Sequence, residues 1–317
     1  MLINICGTGR SGTTILKEIL CQRGDIGFAR GRELRFLVEP DGFLSSYRKM
    51  IASTSYYEQD KTLNKLDDTF RKIAKRSLLY APILALLRRS KLQKHLGFNI
   101  TPSYLGISGR SFLPRLDDYY QDFLKDIKTE TFSGSYIGSE FLSKRQLRFH
   151  TQDVKSIKLG ASSFIRNYIH ALANGCTHAI EDNPFSFYYR DEFEELVADD
   201  VKFVFVYRDP RDIVASSLSQ PWAPSDVRQC CEIVRNSLES AATCLKSGDM
   251  IVKLDEFIEK PEQILGKVED HCSLERFQYD LRVISSSSVG RHRHLPPNKI
   301  KILNEYFENY KFSMPQV

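Results

Sequence analysis

The start of the chain holds the feature that most restricts its fold. Leu2–Cys6 is a mainly apolar run, broken only by Asn4, and a glycine-rich segment, Gly7–Thr14, follows it directly. A stretch with helical character, Ile15–Gln22, comes next. A buried strand that turns through glycines into a helix is typical of the first unit of an α/β fold, in which helices cover a parallel sheet.

Further strand-like runs are separated by helix-like segments along the chain. These runs are Ile26–Ala29, His178–Glu181, Val201–Tyr207 and Met250–Leu254. Strands that alternate with helices favour parallel pairing. The fold class that we expect is therefore α/β, with a P-loop-type parallel β-sheet flanked by helices.

Between about residues 42 and 177 the pattern changes. Apolar and charged residues recur there at helical spacing, over the stretches Tyr56–Leu79, Pro82–Leu96, Leu113–Ile127, Glu140–Asp153 and Ala161–Ala173. We expect a mainly helical insertion after the first βα unit, within a single domain of residues 1–317. Basic residues between Lys72 and Lys94 indicate solvated helix faces, or contact with an acidic acceptor or an anionic membrane surface.

The composition is that of an ordinary globular protein with a mild excess of positive charge. Of the 317 residues, 42% are hydrophobic and 27% are charged, and 45 Lys and Arg stand against 40 Asp and Glu. This balance suits a small polyanionic ligand and is too weak to indicate a nucleic-acid partner. The seven cysteines include no Cys-x-x-Cys pair, so we expect reduced, mostly buried thiols.

No apolar run reaches the ~18–20 residues that a membrane-spanning helix needs. The most apolar stretch, Ala81–Leu87, is short and contains Pro82. No basic leader with an apolar core precedes the first strand. We therefore expect a cytoplasmic protein without a transmembrane segment.

The glycine-rich segment Gly7–Thr14, here called the phosphate loop, has the chemistry of an anion site. Glycines let backbone N–H groups converge on an anion, and the helix that follows adds the positive end of its dipole. Nucleoside triphosphatases need Lys where Thr13 stands, whereas Arg10 places a permanent cation inside the loop. The candidate anion ligands are Gly9, Arg10, Ser11, Gly12, Thr13 and Thr14.

A second strand–turn–helix passage, Val204–Ser217, also has groups suited to an anion. Arg208 falls at the end of the strand, and Pro210 opens the helix at a position that tolerates its missing N–H. Ser216 lies two helical turns beyond Arg208, so one phosphate could bridge both side chains at the carboxyl edge of the sheet. The alternative is that the four charged residues of Arg208–Asp212 form surface ion pairs.

Together these passages resemble a known family. Gly-Thr-Gly-Arg-Ser-Gly-Thr-Thr resembles the 5′-phosphosulfate loop of sulfotransferases that use 3′-phosphoadenosine 5′-phosphosulfate (PAPS), in its carbohydrate and tyrosylprotein branches. Arg208 and Ser216 fall on the binding positions of the family's 3′-phosphate motif. Ser287–Arg291 resembles its Ser-x-Gly-Arg loop, which makes Arg291 a further 3′-phosphate ligand. We call Arg208, Ser216 and Arg291 the second anion site.

The resemblance also indicates catalytic groups. Gly31–Leu37 is similar to a passage of tyrosylprotein sulfotransferases in which a Glu is the base. On that match Glu33 accepts the proton of the acceptor hydroxyl, and Arg35 orients it or holds the acceptor. Glu39 is a second candidate for the base. Sulfuryl transfer requires no metal. His292 and His294 have no acidic or thiol residues near them in the sequence that would indicate a metal site.

One position departs from the family pattern. Where the family often has a catalytic Lys, this chain has Asp182, in Ile180–Ser186. Arg10 could cover the leaving group instead, or Lys155 or Lys158 could reach it from the insertion. Asp182 could also bind the acceptor or share the role of base with Glu33.

The activity implied is sulfuryl transfer from PAPS, as co-substrate, to a hydroxyl acceptor. A glycan or glycolipid acceptor is expected because the Arg-Ser-Gly-Thr-Thr form resembles that branch, while tyrosine, a small alcohol and peripheral membrane contact stay open. Two alternatives are an inactive protein that binds PAPS or its product 3′-phosphoadenosine 5′-phosphate (PAP), and a P-loop nucleotide kinase, which Thr13 disfavours. Trp222, the only Trp, suits either the core or a pocket wall.

Overall fold

The computed structural model describes residues 1–28, 36–79, 116–134, 145–151, 153–220, 222–285 and 289–312. The strands in these ranges are β1 (Leu2–Gly7), β2 (Ile26–Phe28), β3 (Glu130–Gly134), β4 (Arg145–Phe149), β5 (His178–Asp182), β6 (Val201–Tyr207) and β7 (Met250–Lys253). Every strand expected from the sequence is present, and its bounds agree to within a residue.

Five of these strands form one sheet in the order β2-β5-β1-β6-β7. Each pairing within it is parallel, so the predicted α/β class is confirmed. Strand β1 lies at the centre, between β5 and β6. Since parallel strands end at a common edge, the segments that leave β1, β5 and β6 meet there.

At least one helix follows each strand of the five-stranded sheet, as expected. The helices are α1 (Thr13–Leu20), α2 (Phe43–Ala52), α3 (Tyr56–Leu79), α4 (Leu116–Asp126), α5 (Val154–Ala173), α6 (Arg190–Val197), α7 (Pro210–Ser217), α8 (Val227–Cys244), α9 (Leu254–Glu259), α10 (Pro261–His271) and α11 (Pro297–Phe307). Short 3₁₀ turns, among them Ser186–Tyr189 and Arg291–His294, connect some of them.

The central strands bury both of their faces. Along β1, Leu2 and Cys6 belong to one apolar cluster, whereas Ile3 and Ile5 belong to another. The first cluster packs against α5 and α6, and the second against α1 and α10. A strand covered on both faces is expected to be mainly apolar, as β1 is. Its one polar side chain, the buried Asn4, accepts a hydrogen bond from the Ser186 hydroxyl.

The region between residues 42 and 177 contains four helices and a β-hairpin in its described part. The predicted helix Glu140–Asp153 is wrong, because Arg145–Phe149 is strand β4, paired antiparallel with β3. Alternation over five residues cannot separate a strand from a helical turn, and here Leu147 is buried while Arg148 N donates to Asp60 Oδ1 at 2.6 Å. Helix α5 then begins at Val154. The predicted helix Pro82–Leu96 lies outside the described residues.

Aromatic side chains pack the helices of this region against one another. The Phe36 ring meets Phe70 at 5.4 Å and Phe164 at 6.1 Å, both edge to face. Phe43 stacks on Phe164 with ring centroids 4.1 Å apart. Such pairs contribute ~0.5–1.5 kcal/mol each beyond the area they bury. They fix the chain at Phe36, immediately after the segment that contains Glu33.

Three further expectations concern single residues and length. All seven cysteines fall within the described residues and are free thiols, four of them buried. Trp222 keeps 55% of its surface exposed and is therefore not a core residue. In the described part of the chain, no helix combines the length and apolarity that crossing a membrane requires.

Candidate anion-binding site

The two predicted anion-binding segments lie side by side at the carboxyl edge of the sheet. Gly7 is in register with Val206 of β6, and Ile5 is in register with Asp182 of β5. The phosphate loop therefore leaves β1 between the ends of its two neighbours. This is the edge at which parallel α/β sheets bind ligands.

The backbone of the phosphate loop depends on glycine. Gly9 has φ +75° and Gly12 has φ +108°, and Arg10 between them also has a positive φ of 58°. A Cβ on Gly12 would lie 2.9 Å from Leu254 Cδ1. Gly12 is the N-cap of α1, and no described side chain caps the helix, so its first N–H groups are available to an anion.

Two hydroxyls of the loop are buried without a partner. Ser11 and Thr8 are 1% and 7% exposed, and neither Ser11 Oγ nor Thr8 Oγ1 has a hydrogen bond to a described residue. A buried hydroxyl without a partner costs ~1–3 kcal/mol. An anion bound in the loop would accept hydrogen bonds from both hydroxyls and so remove this cost. Thr13 is also buried, whereas Thr14 is exposed.

The second anion site is joined directly to the loop. Arg208, 4% exposed at the end of β6, donates from Nη1 to the Arg10 carbonyl at 2.9 Å. The Ser216 hydroxyl on α7 accepts from Arg10 Nε at 3.0 Å and from Arg291 Nη1 at 3.5 Å. The structure thus brings together Arg10, Arg208, Ser216 and Arg291, which come from three separate parts of the chain.

This grouping places the exposed Arg10 and Arg291 beside the buried Arg208. Burial is the main cause that lowers the pKa of the Arg208 guanidinium, and Asp212 opposes it. The nearby guanidinium groups of Arg291 and Arg10 lower that pKa further. A bound anion would stabilise the charge of the Arg208 guanidinium.

Asp212 positions the turn that carries Arg291. Its Oδ2 accepts from Gly290 N at 2.7 Å, and its Oδ1 accepts from His292 N at 2.9 Å. The His292 ring is also bonded to it, with Nδ1 2.6 Å from Oδ1. Asp212 is 1% exposed, and its Oδ2 lies 3.8 Å from Arg208 Nη2, so the ion pair that these two residues form is buried and not on the surface as the alternative expected. The feature of the sequence that could have indicated this role is an acidic residue four positions after Arg208.

The other two charged residues between Arg208 and Asp212, Asp209 and Arg211, pair with each other. Arg211 Nη2 lies 2.6 Å from Asp209 Oδ2, and the Asp209 side chain also caps α7 by accepting from Arg211 N at 2.8 Å. These two residues therefore form the ion pair that the alternative interpretation expected. Only Arg208 and Asp212 turn inward.

Asp182 has a cationic neighbour that sequence reasoning missed. Lys17 of α1 places Nζ 3.5 Å from Asp182 Oδ2, and both side chains are largely buried. Lys158, one of the two lysines proposed from the insertion, instead pairs with Glu195 at 3.3 Å. The signal for Lys17 was its spacing of one helical turn from Thr13, which puts both on one side of α1.

The proposed acceptor side is described only in part. Glu33 and Arg35 lie outside the described residues, so their role stays a prediction. Glu39 is half-buried, and its carbonyl accepts from Gly42 N at 2.7 Å in the turn before α2. Within the described ranges, no cluster of three or more His, Cys, Asp or Glu side chains could hold a metal ion.

Comparison with known proteins gives structural neighbours only. No protein-family model matches the sequence, and no curated protein is significantly similar to it. The sulfotransferase domain of the Synechococcus PCC 7002 olefin synthase is similar with a TM-score of 0.41 and 12% identity, over 100% of this chain and 90% of that one. A sulfotransferase domain from the curacin biosynthetic pathway is similar with a TM-score of 0.40 and 13% identity, over 99% of this chain and 92% of that one. Sulfotransferase STF9 from Mycobacterium avium has a TM-score of 0.38 and 12% identity, over 99% of this chain and 78% of that one. Values this low do not establish what this chain does.

Proposed function

We propose that this chain is a sulfotransferase that uses PAPS to sulfate a hydroxyl. The observation that carries the proposal is the contact of Arg10 with Ser216, which joins the phosphate loop to the second anion site. Two adjoining anion sites suit one ligand with two anionic groups. PAPS has this form, with a phosphosulfate at the 5′ position and a phosphate at the 3′ position.

The groups at Ser216 favour a phosphate as the second anion. Its oxygen accepts from Arg10 and Arg291, which leaves its own proton to donate to a ligand. Arg208 and Arg291 provide forked donors, and such charge-assisted bonds are about twice as strong as neutral ones. The 3′-phosphate of the nucleotide would accept from these three side chains.

The phosphate loop would hold the 5′-phosphosulfate. The N–H groups at the start of α1 and the unpartnered hydroxyls of Ser11 and Thr8 are suited to its oxygens. Arg10 would lie between the two anions, since its side chain reaches Ser216 while its backbone belongs to the loop. No residue of the loop replaces the P-loop lysine, which disfavours Mg²⁺-dependent triphosphate chemistry.

Transfer requires a base on the acceptor side. The acceptor oxygen must lie in line with the sulfur and lose its proton as it attacks. Glu33 is our proposed base, with Arg35 to orient it, and a positioned base contributes ~10²–10⁴ in rate. Phe36, packed in the aromatic cluster, would keep this segment near the insertion.

The proposed acceptor is a sugar hydroxyl on a glycan or glycolipid. This rests on the resemblance of Arg10–Thr14 to the carbohydrate branch of the family. The region from 42 to 177 would form the acceptor side, because it follows the segment of Glu33 directly. An acceptor screen with radiolabelled PAPS would compare glycans, glycolipids, tyrosine peptides and small alcohols. Label transferred to a tyrosine peptide but to no sugar would overturn this assignment.

Calorimetric titration with PAP tests the donor part of the proposal. We expect tight binding of PAP and much weaker binding of AMP, which lacks the 3′-phosphate. Titration with ATP and Mg²⁺ is the control for a kinase. Preference for ATP and Mg²⁺ over PAP would overturn the proposal.

A further inference from the structure

Lys17 lies where a second cation could reach the phosphate loop. It is one turn into α1, about 6 Å along the helix axis from Thr13. Side chains of a helix lean toward its N-terminus, which for α1 is the phosphate loop. Lys17 also contacts Asp182, at the carboxyl end of β5, so its ammonium group lies at the edge of the sheet to which the loop belongs.

The segment that follows Asp182 forms a wall of the same loop. The Pro184 carbonyl accepts from Gly7 N at 2.8 Å, and a Cβ on Gly9 would lie 3.4 Å from the Phe185 ring. The chain after β5 therefore touches the loop near both its start and its middle. Asp182 opens this segment, which places the Lys17–Asp182 pair beside the loop.

We propose that Lys17, held by Asp182, binds the 5′-phosphate end of the donor and stabilises the charge of the leaving group. This inference rests on the proposed function. The pair is a loose one at 3.5 Å, and an ammonium group carries three donors, so it can bond a phosphate oxygen while it remains near Asp182. Asp182 is then a positioning residue, and it occupies the place where the resemblance expects a lysine.

The reaction shows what this cation would do. The acceptor oxygen forms a bond to sulfur with its own electron pair, and its proton passes to the proposed base, Glu33. The bond between sulfur and the bridging oxygen breaks, and its electron pair stays on the 5′-phosphate of PAP. The negative charge that develops there is stabilised by a nearby cation, which acts most strongly in a site that excludes water.

The competing interpretation is that the pair only joins α1 to β5. A structural ion pair would affect stability without affecting ligand preference. Binding of two nucleotides separates these interpretations: PAP carries a 5′-phosphate, and adenosine 3′-phosphate lacks it. Only a contact to the 5′-phosphate changes the affinity for the first and leaves the second unchanged.

Calorimetry with Lys17→Met is the test. We expect the Kd of PAP to rise about tenfold, as for the loss of a charge-assisted bond, while the Kd of adenosine 3′-phosphate changes less than about twofold. Lys158→Met is the matched control, because Lys158 also pairs with a carboxylate. It should leave both constants within about twofold of wild type.

Removing Lys17 alone takes away the cation 3.5 Å from the buried Asp182 carboxylate, a change that could prevent folding. The double variant with Lys17→Met and Asp182→Asn removes both charges and should bind PAP about tenfold more weakly than wild type. A folded double variant with wild-type affinity for PAP would refute the role of Lys17. Equal weakening of both nucleotides would also refute it. A wild-type protein that does not prefer PAP over AMP would instead refute the proposed function.

Discussion

The phosphate loop and the second anion site meet at Ser216, yet they offer an anion different groups. The loop offers N–H groups and the hydroxyls of Ser11 and Thr8, on a backbone that turns through Gly9 and Gly12. The second anion site offers guanidinium groups, and Arg208 among them is buried. Arg10 is the residue that belongs to both.

The difference shows two ways to prepare a site for an anion. In the loop, the backbone conformation depends on the residues of the loop itself, because its glycines adopt positive φ at little cost. In the second anion site, the required arrangement is remote, because Asp212 must hold the turn at Gly290 and His292 to place Arg291. Changes in the loop should therefore affect stability and binding together, whereas changes in the second site should affect mainly binding.

The largest effect should come from a residue outside both sites. Glu33→Gln removes the proposed base and keeps the shape of the side chain, so turnover of PAPS should fall by ~10²–10⁴. Titration with PAP should give the wild-type Kd. Turnover close to wild type would transfer the role of base to Glu39 or Asp182.

Arg208→Ala tests the second anion site. Loss of its charge-assisted bonds should weaken PAP binding by ~1.5–3 kcal/mol, or about 10- to 150-fold. The affinity for AMP, which lacks the 3′-phosphate, should hardly change. Arg211→Ala is the matched control in the same passage, because Arg211 pairs with Asp209, and it should bind PAP as the wild type does. An unchanged PAP affinity in Arg208→Ala would remove this residue from the site.

Gly12→Ala tests the loop. The residue has φ +108°, and the new methyl group would press on Leu254 Cδ1, 2.9 Å away. The free energy of unfolding should fall by ~1–3 kcal/mol, and binding of PAP should weaken in the same variant. Thermal or urea unfolding measures the first and calorimetry the second. Loss of binding at full stability would contradict the coupling that we expect in the loop.

Asp212→Asn should give the smallest effect. The amide keeps one acceptor for the turn at Gly290 and loses the other, a change of about 1 kcal/mol, or fivefold in the Kd of PAP. Because the loss would act through Arg291, combining Asp212→Asn with Arg291→Ala should add little to Arg291→Ala alone. Additive losses in calorimetry would show that Asp212 acts by another route.

Much of the fold was predictable because its signals are local. The apolar runs of β1 and β6 indicated strands buried on both faces, and Gly9 and Gly12 indicated the turn between β1 and α1. Local patterns failed where they were short or where contacts cross the chain. Arg145–Phe149 is a strand because Leu147 and Arg148 have partners elsewhere, which a five-residue pattern does not show.

The candidate site divides in the same way. Residue type and spacing were enough to predict which residues suit an anion, namely those of the phosphate loop and Arg208. The packing of the fold placed Lys17 against Asp182, turned Asp212 inward while Asp209 stayed with Arg211, and left Trp222 exposed. These outcomes depend on how helices and turns pack against the sheet. Residues that are distant in the chain meet there, and the periodicity of the sequence around one of them does not indicate the other.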